Sequence, residues 1–195
     1  MLFLFSLLVV AANAQGLWFE RLVASETQHV RTAYNNSNFS LIEACGGLGS
    51  EQGAAPGECG RAGVLTGVQD VSYVRLVFTP SHKTVPTVLV MVNLTSNHTS
   101  YEYVNDSWIG DANSDWKASI SLEAAHDIFS RVNGTRFANF VWRQMVYLCV
   151  SEPVFIFAWP QGGGRVFVGS HAARACRTPT MVENATLHCH LDCYD

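Results

Sequence analysis

Two short apolar runs near the middle of the chain constrain its fold more than any other feature. Leu76–Phe78 and Val85–Val92 flank a polar hinge, and the second run alternates valine with leucine and methionine, so both of its faces are apolar. β-Branched residues dominate this run, and it is too short for a stable amphipathic helix. Pro86 stands among its first residues, where a missing N–H group costs least. The sequence therefore predicts a buried central strand here.

Other strand-like segments recur at short intervals and are separated by turn residues. They are Val71–Phe78, Tyr101–Val104, Trp116–Leu122, Thr135–Trp142, Met145–Val150, Val154–Trp159 and Arg165–Val168. Asn133-Gly134 is a strong signal for a turn between two strands, and only Ala124–Phe129 suggests a helical turn. With a hydrophobic content of 48%, this pattern predicts an all-β fold. The expected form is an antiparallel β-sandwich of about six to eight strands, stabilised by disulfides.

The first residues resemble a secretory signal peptide. Leu2–Val10 is an apolar region, and Ala12-Asn13-Ala14 is a small-x-small cleavage site. No apolar run is long enough to span a bilayer, so membrane insertion is not expected. The mature protein is therefore predicted to be secreted and extracellular.

Composition divides the chain into four segments, and no internal repeat is evident in the sequence. In the second of them, Leu17–Phe19 and Leu22-Val23 would make a first strand, and eight glycines from Gly46 to Gly67 mark a Cys-containing loop. The segments are the signal peptide 1–14, an N-terminal segment 15–69, a β-domain 70–169 and a Cys-rich tail 170–195.

All six cysteines follow the signal peptide, and an even number in an oxidising compartment favours three disulfides. They are Cys45, Cys59, Cys149, Cys176, Cys189 and Cys193. Sequence does not choose among the pairings. Cys45–Cys59 is the favoured pair, because it closes a local Gly-rich loop and would contribute roughly 3 kcal/mol.

Seven N-x-S/T acceptor sequences also fit a secreted glycoprotein. They are at Asn35, Asn38, Asn93, Asn97, Asn105, Asn133 and Asn184. Asn93, Asn97 and Asn133 each adjoin an apolar run and turn residues, so they are expected at strand ends on the surface.

Charge and the candidate chemical groups narrow the function classes. The net charge is −4, and Lys83 and Lys117 are the only lysines, so no basic stripe indicates nucleic-acid binding. His188 and His190, interleaved with Cys189 and Cys193, would suit zinc or copper, but secretion and the even cysteine count favour disulfides. No metal or other cofactor is therefore predicted.

No enzyme motif stands out. His126-Asp127 and Ser170-His171 supply residue types used in hydrolysis, but no Gly-x-Ser-x-Gly elbow accompanies them. Ordinary loop residues are the simpler interpretation, and the chain is predicted not to be an enzyme.

Two stretches resemble the H-type lectin domain of snail agglutinins and discoidins. In the first, Phe78 is followed by Pro86 and by an aliphatic run from Val88 to Leu94. In the second, Gly134–Tyr147 is followed by Phe155–Trp159. The resemblance implies a six-stranded antiparallel sandwich that binds galactose or N-acetylgalactosamine without calcium, as a homotrimer.

The resemblance also implies a sugar site. Trp142 matches the ring that contacts the sugar, Arg143 stands where a hydrogen-bonding histidine occurs, and Tyr147 matches a second sugar-contacting ring. Asp70 is the nearest match to an upstream acidic ligand. A galactose-type sugar packs its C–H face on an aromatic ring, so this chemistry is reasonable.

Two alternatives remain open. Trp142 and Tyr147 would equally suit the core of a hairpin. The chain would then be a secreted structural or host-interaction glycoprotein, in which the β-sandwich serves as a scaffold and binds no sugar.

Overall fold

The computed structural model describes most of the chain between Leu17 and Tyr194. The described residues are 17–35, 38–49, 59, 63–80, 87–104, 120–144, 153–160, 164–169, 175–177 and 192–194. They form two α-helices, α1 (Trp18–Ala33) and α2 (Leu122–Asn133), and a short 3-10 helix (Val68–Asp70). The strands are β1 (Phe39–Gly47), β2 (Tyr73–Pro80), β3 (Thr87–Asn93), β4 (His98–Val104), β5 (Asn139–Gln144), β6 (Pro153–Ala158), β7 (Arg165–Gly169), β8 (Ala175–Arg177) and β9 (Asp192–Tyr194).

The nine strands form one antiparallel sheet in the order β4-β3-β2-β1-β5-β6-β7-β8-β9. Every neighbouring pair is antiparallel, which confirms the predicted antiparallel β fold. The described strands belong to a single sheet, and one of its faces is covered by the two helices. Within these residues no helix is long and apolar enough to cross a membrane.

The described elements follow a similar order twice along the chain: α1 is followed by four strands, β1–β4, and α2 by five, β5–β9. The first strand of each set begins at the same interval after its helix, at Phe39 after Ala33 and at Asn139 after Asn133. These first strands, β1 and β5, pair antiparallel at the middle of the sheet. The two halves therefore share an element order and meet at β1 and β5, although the sequence carries no evident repeat.

Helix α1 forms because its buried residues fall on one helical stripe. Phe19, Val23, Glu26 and Val30 recur every three or four residues and pack against the sheet. The polar Glu26 interrupts this stripe, which obscures the helical period in the sequence. The strand predicted from Leu17–Phe19 is therefore wrong.

Helix α2 has clear end signals. The Ser121 side chain accepts a hydrogen bond from the Ala124 N–H at 3.1 Å, which caps the first turn. Gly134 follows the last helical residue with a positive φ of 76°, a conformation that suits glycine. The helical turn expected at Ala124–Phe129 is thus part of a longer helix. Asn133-Gly134 ends that helix instead of joining two strands.

Strand β1 occupies part of the expected Gly-rich loop. A Cβ atom at Gly46 would lie 2.5 Å from the Cε1 atom of Phe140 on the neighbouring strand, so only glycine lets this ring pack there. β1 belongs to the N-terminal segment 15–69, yet it lies between β2 and β5. The N-terminal segment and the β-domain therefore share one sheet.

The main core lies between the helices and the sheet. Phe19 and Phe129 of the helices pack with Phe78, Phe140 and Phe157 of the strands. The opposite face also carries buried side chains, among them Val77, Leu89 and Ile156. Fully burying such side chains stabilises the fold by about 1.5–3 kcal/mol each.

The predicted central strand is present in its described part. It spans Thr87–Asn93, is largely buried and lies one strand from the edge of the sheet, because β1 and β5 occupy the middle. Of the strand expected at Trp116–Leu122, only residues 120–122 are described. Ile120 and Ser121 precede α2, and Leu122 is its first residue. Pro86 and Met145–Val150 lie outside the described residues.

Candidate interaction site

Trp142 is part of the core. Its relative exposure is 0%, and it lies on the helix-covered face of β5, opposite Ala44 of β1 and Phe155 of β6. Stacking on a sugar requires one exposed ring face. The structure therefore corrects the sugar-contacting role expected of Trp142 and supports the alternative of a core residue.

Arg143 lies on the other face of the sheet, because successive residues of a strand point to opposite faces. Its side chain is 41% exposed, and its Nη1 atom lies 3.8 Å from the Glu43 Oε2 atom. The Glu43 Oε1 atom accepts a 2.7 Å hydrogen bond from Arg75 Nη2 in a buried ion pair. Arg143 and Trp142 therefore do not line one pocket. The third predicted residue, Tyr147, lies outside the described residues.

Asp70 is at the end of the 3-10 helix and organises its own loop. Its Oδ2 atom accepts hydrogen bonds from the Thr66 hydroxyl at 2.7 Å, the Thr66 N–H at 2.9 Å and the Gly67 N–H at 3.1 Å. These bonds, that of the Thr66 hydroxyl first, lower the pKa of Asp70 below 3.8. These hydrogen bonds indicate that the Asp70 carboxylate stabilises the loop at residues 66–70.

The favoured disulfide is confirmed. Cys45 and Cys59 are bonded, with Cα atoms 5.3 Å apart. The backbone register also sets Cys176 of β8 opposite Cys193 of β9, which makes them the first pair to look for in a non-reducing peptide map. Cys149 and Cys189 lie outside the described residues, as do His188 and His190. The described part of the chain contains no cluster of three potential metal ligands.

The described glycan acceptors are not buried. Asn93 ends β3, and Asn97, with a φ of 51°, lies in the turn before β4. The Asn93 Oδ1 atom accepts hydrogen bonds from the N–H groups of Thr95 and Ser96, both at 3.0 Å. Asn133 ends a helix instead of a strand. Asn35 and Asn38 are exposed, whereas Asn105 and Asn184 lie outside the described residues.

His126 is a core residue of α2. Its ring is buried and packs near Phe129, Phe137 and Phe157, with Nε2 3.3 Å from the Thr135 carbonyl oxygen. These contacts indicate that His126 contributes to the packing of the core. Ser170 and His171 lie outside the described residues.

A cluster of aromatic residues lies where α1 meets strand β4. We call His29, Tyr34, Tyr101 and Tyr103 the aromatic edge patch. His29 stacks on Tyr101 with ring centroids 4.8 Å apart, and Tyr34 stacks on Tyr103 at 5.5 Å. Tyr101 and Tyr103 remain 40% and 52% exposed. The patch therefore presents ordered rings to the surroundings.

One hydrogen bond orders this patch. The Tyr101 hydroxyl donates to the Glu26 Oε2 atom at 2.8 Å, and Glu26 is buried on α1. Burial of the hydroxyl, with the bond to Glu26 and the charge of that carboxylate, raises the pKa of Tyr101 to about 12. The Tyr101 hydroxyl therefore keeps the proton that it donates to Glu26.

The patch coincides with an open edge of the sheet. β4 is the terminal strand on its side, and none of the described strands pairs with its outer edge. At the other end of the sheet, β8 is followed by β9. All seven residues of β4 are exposed or half-buried. The site was predictable only in part, because the sequence shows the alternating tyrosines of β4 but not the helix that packs beside them.

A second polar feature joins the two helices. The Leu122 N–H, in the first turn of α2, donates a 2.8 Å hydrogen bond to the Glu20 Oε1 atom of α1. Burial raises the pKa of Glu20 above 4.5, against the bond from Leu122. Burial also raises the pKa of Glu123, and the charges of Glu20 and Asp127 raise it further. Hydrogen bonds from the Glu123 N–H and the Ser121 hydroxyl lower this pKa in part. Simultaneous ionisation of the Glu20 and Glu123 carboxyl groups is therefore disfavoured at this junction.

No protein-family model, curated protein or solved structure matches this chain. The geometry of the described residues is thus the basis for any functional proposal.

Proposed function

We propose that the chain is a secreted, disulfide-bonded glycoprotein that recognises another extracellular protein through the aromatic edge patch, without catalysis. The observation that carries this proposal is the pair of exposed tyrosines, Tyr101 and Tyr103, ordered on an unpaired edge strand. The signal-peptide-like N-terminus, the acceptor sequences and the Cys45–Cys59 bond support an extracellular location.

Tyrosine suits this role for physical reasons. A tyrosine ring supplies a large, rigid contact area with a polar tip and loses little conformational entropy on binding. The rings of the patch are already held by stacking and by the Glu26 bond, so less order has to be gained when a partner binds. Preorganised aromatic residues are typical of the few positions that dominate binding energy.

The experiment is a binding screen of the secreted protein against arrays of extracellular protein domains and of glycans. We expect binding to a protein domain, and we expect Tyr103→Ala to weaken it by about tenfold or more. Val64→Ala is the matched control, because Val64 is also exposed and precedes Leu65, which pairs with Phe137 instead of with β4. Equal loss in both variants, or no loss in Tyr103→Ala, would overturn the proposal.

Galactose-type glycan binding is a second candidate, now at the same patch instead of at Trp142. It is favoured by exposed rings beside a carboxylate, since a sugar packs its C–H face on a ring and hydrogen-bonds through its hydroxyls. A homotrimer would raise the avidity of such weak sites. Glycan-array signals that free galactose competes away, and that Tyr103→Ala abolishes, would favour this candidate over protein recognition.

A further inference from the structure

Resting on the proposed function, we infer that the outer edge of β4 binds an extended peptide segment of the partner, which adds to the sheet as a further strand. The segment would place a basic residue opposite Glu102 and apolar residues on either side of it, facing Tyr101 and Tyr103. Three independent features of β4 lead to this inference.

The first feature is that β4 lacks three devices that commonly protect an edge strand, namely proline, lysine and a β-bulge. Its sequence, HTSYEYV, contains no proline and no lysine. Its pairing with β3 runs through all seven positions, from Thr87–Val104 to Asn93–His98, without a bulge. Edge strands without such protection are templates for pairing with another chain.

The second feature is the opposite end of the same sheet. β8 corresponds to β4 in element order, since each is the fourth strand after its helix and each lies three strands out from the central pair β1 and β5. β8 is extended by β9, which pairs antiparallel with it through Ala175–Tyr194, Cys176–Cys193 and Arg177–Asp192. The fold thus already accepts a short added strand at the equivalent position, whereas β4 has none among the described residues.

The third feature is the alternation of side chains along β4, which sets the chemistry of the added strand. Tyr101 and Tyr103 lie opposite Val90 and Val88 of β3, on the face that α1 covers, whereas Glu102 lies on the other face. A residue opposite Glu102 on an added strand would share its face, and the neighbours of that residue would share the tyrosine face. Opposite charges and aromatic–aliphatic pairs are the favoured cross-strand pairs.

These features favour a partner segment over a second copy of this chain. β4 contains no arginine or lysine, so a second β4 strand would place no such cation opposite Glu102. The acceptor sequences at Asn97 and Asn105 come directly before and after β4 in the chain. Glycans attached there would limit the added strand to the length of β4.

The probe is an acetylated peptide that alternates valine with threonine about a central lysine, with a central-glutamate peptide for comparison. We expect the lysine peptide to bind at concentrations of about 1 mM or lower, and roughly fivefold to tenfold more tightly than the glutamate peptide. Glu102→Lys should reverse this order. Asp127→Lys is the matched control, because it makes the same change at an exposed site on α2, and it should preserve the order.

Backbone pairing has its own signature. Two further peptides carry N-methyl groups on alternate residues, one set on each edge of the added strand. We expect one of them to lose binding and the other to keep it, because only one edge of the strand would donate to β4.

The inference is overturned if no lysine peptide binds, if Glu102→Lys keeps the wild-type order, or if both N-methylated peptides bind equally. Peptide binding accompanied by self-association of the protein would instead identify β4 as a contact between copies. The two proposals fail separately. If Tyr103→Ala loses binding to the folded partner but the protein shows no preference between the peptides, the aromatic edge patch stands as the binding site and strand addition is ruled out.

Discussion

The Tyr101 hydroxyl donates a 2.8 Å hydrogen bond to the Glu26 carboxylate, joining the edge strand β4 to helix α1 across 75 positions of sequence. Hydrogen bonds to charged groups contribute more than neutral ones, and truncating one partner leaves the buried Glu26 carboxylate unsatisfied. The position of the Tyr101 ring in the aromatic edge patch thus depends on a long-range contact that no local sequence motif predicts.

This contact is expected to be measurable by a double-mutant cycle. Tyr101→Phe and Glu26→Gln should each lower the free energy of unfolding by about 1 kcal/mol, and the double variant should lose less than their sum. Urea denaturation supplies the four free energies. Additive losses would mean that the two side chains do not interact in solution.

Trp142→Ala should destabilise the protein severely, by about 3–5 kcal/mol, because it removes a fully buried ring from the core beside β1 and β6. The measurement is the yield of secreted protein with its melting temperature. Arg143→Ala is the comparison, because its side chain is partly exposed on the neighbouring position. A well-folded Trp142→Ala protein that has lost only sugar binding would restore the lectin site at this residue.

The Glu20–Glu123 junction should make stability depend on pH. Both carboxyl groups have a pKa above 4.5 in the folded protein, so the folded state binds more protons than the unfolded state between 4.5 and the raised values. Their contribution therefore weakens the fold as pH rises through that window, and this penalty disappears as pH falls below it. Asp70 does not confuse the measurement, because its pKa is lowered and its contribution is lost only at more acidic pH.

The corresponding experiment compares Glu123→Gln with the wild type by urea unfolding between about pH 7 and about pH 4. The wild type should gain stability relative to the variant as pH falls through this range. Glu102→Gln is the control, because Glu102 is exposed on β4. Parallel stability curves for the wild type and Glu123→Gln would show that this junction does not titrate in the range.

Removing the Cys45–Cys59 bond should lower stability by roughly 3 kcal/mol in the chain-entropy model, since the bond closes a loop between residues 14 positions apart. The test is chemical denaturation of the protein carrying Cys45→Ala together with Cys59→Ala. Alkylation of the unreduced wild type supplies the control and should label neither cysteine. Labelling of both would contradict the bond.

The sequence predicts the antiparallel strands well because their signals are local. The short apolar runs of β2 and β3 and the short spacing of Cys45 and Cys59 each depend on a few neighbouring residues. Helix α1 escapes prediction because Glu26 replaces an apolar residue in its buried stripe. Strand β1 also escapes prediction, because Gly46 and Gly47 at its end resemble the glycine-rich loop that follows them.

The candidate site is harder to predict, for two physical reasons. Whether Trp142 faces the core or the solvent depends on strand register, and a shift by one residue reverses every side chain of β5. The aromatic edge patch combines residues of α1 and β4, so it exists only once the helix has packed on the sheet. Neither fact can be obtained from motif spacing.

The most direct test of the central proposal is hydroxyl-radical footprinting of the protein with and without the protein domain that it captures. We expect oxidation of Tyr101 and Tyr103 to fall on binding, while Phe167, half-buried on the opposite face of the sheet, keeps its rate. Undiminished oxidation of Tyr103, with protection of Phe167 near the face that carries Arg143, would contradict recognition through the aromatic edge patch.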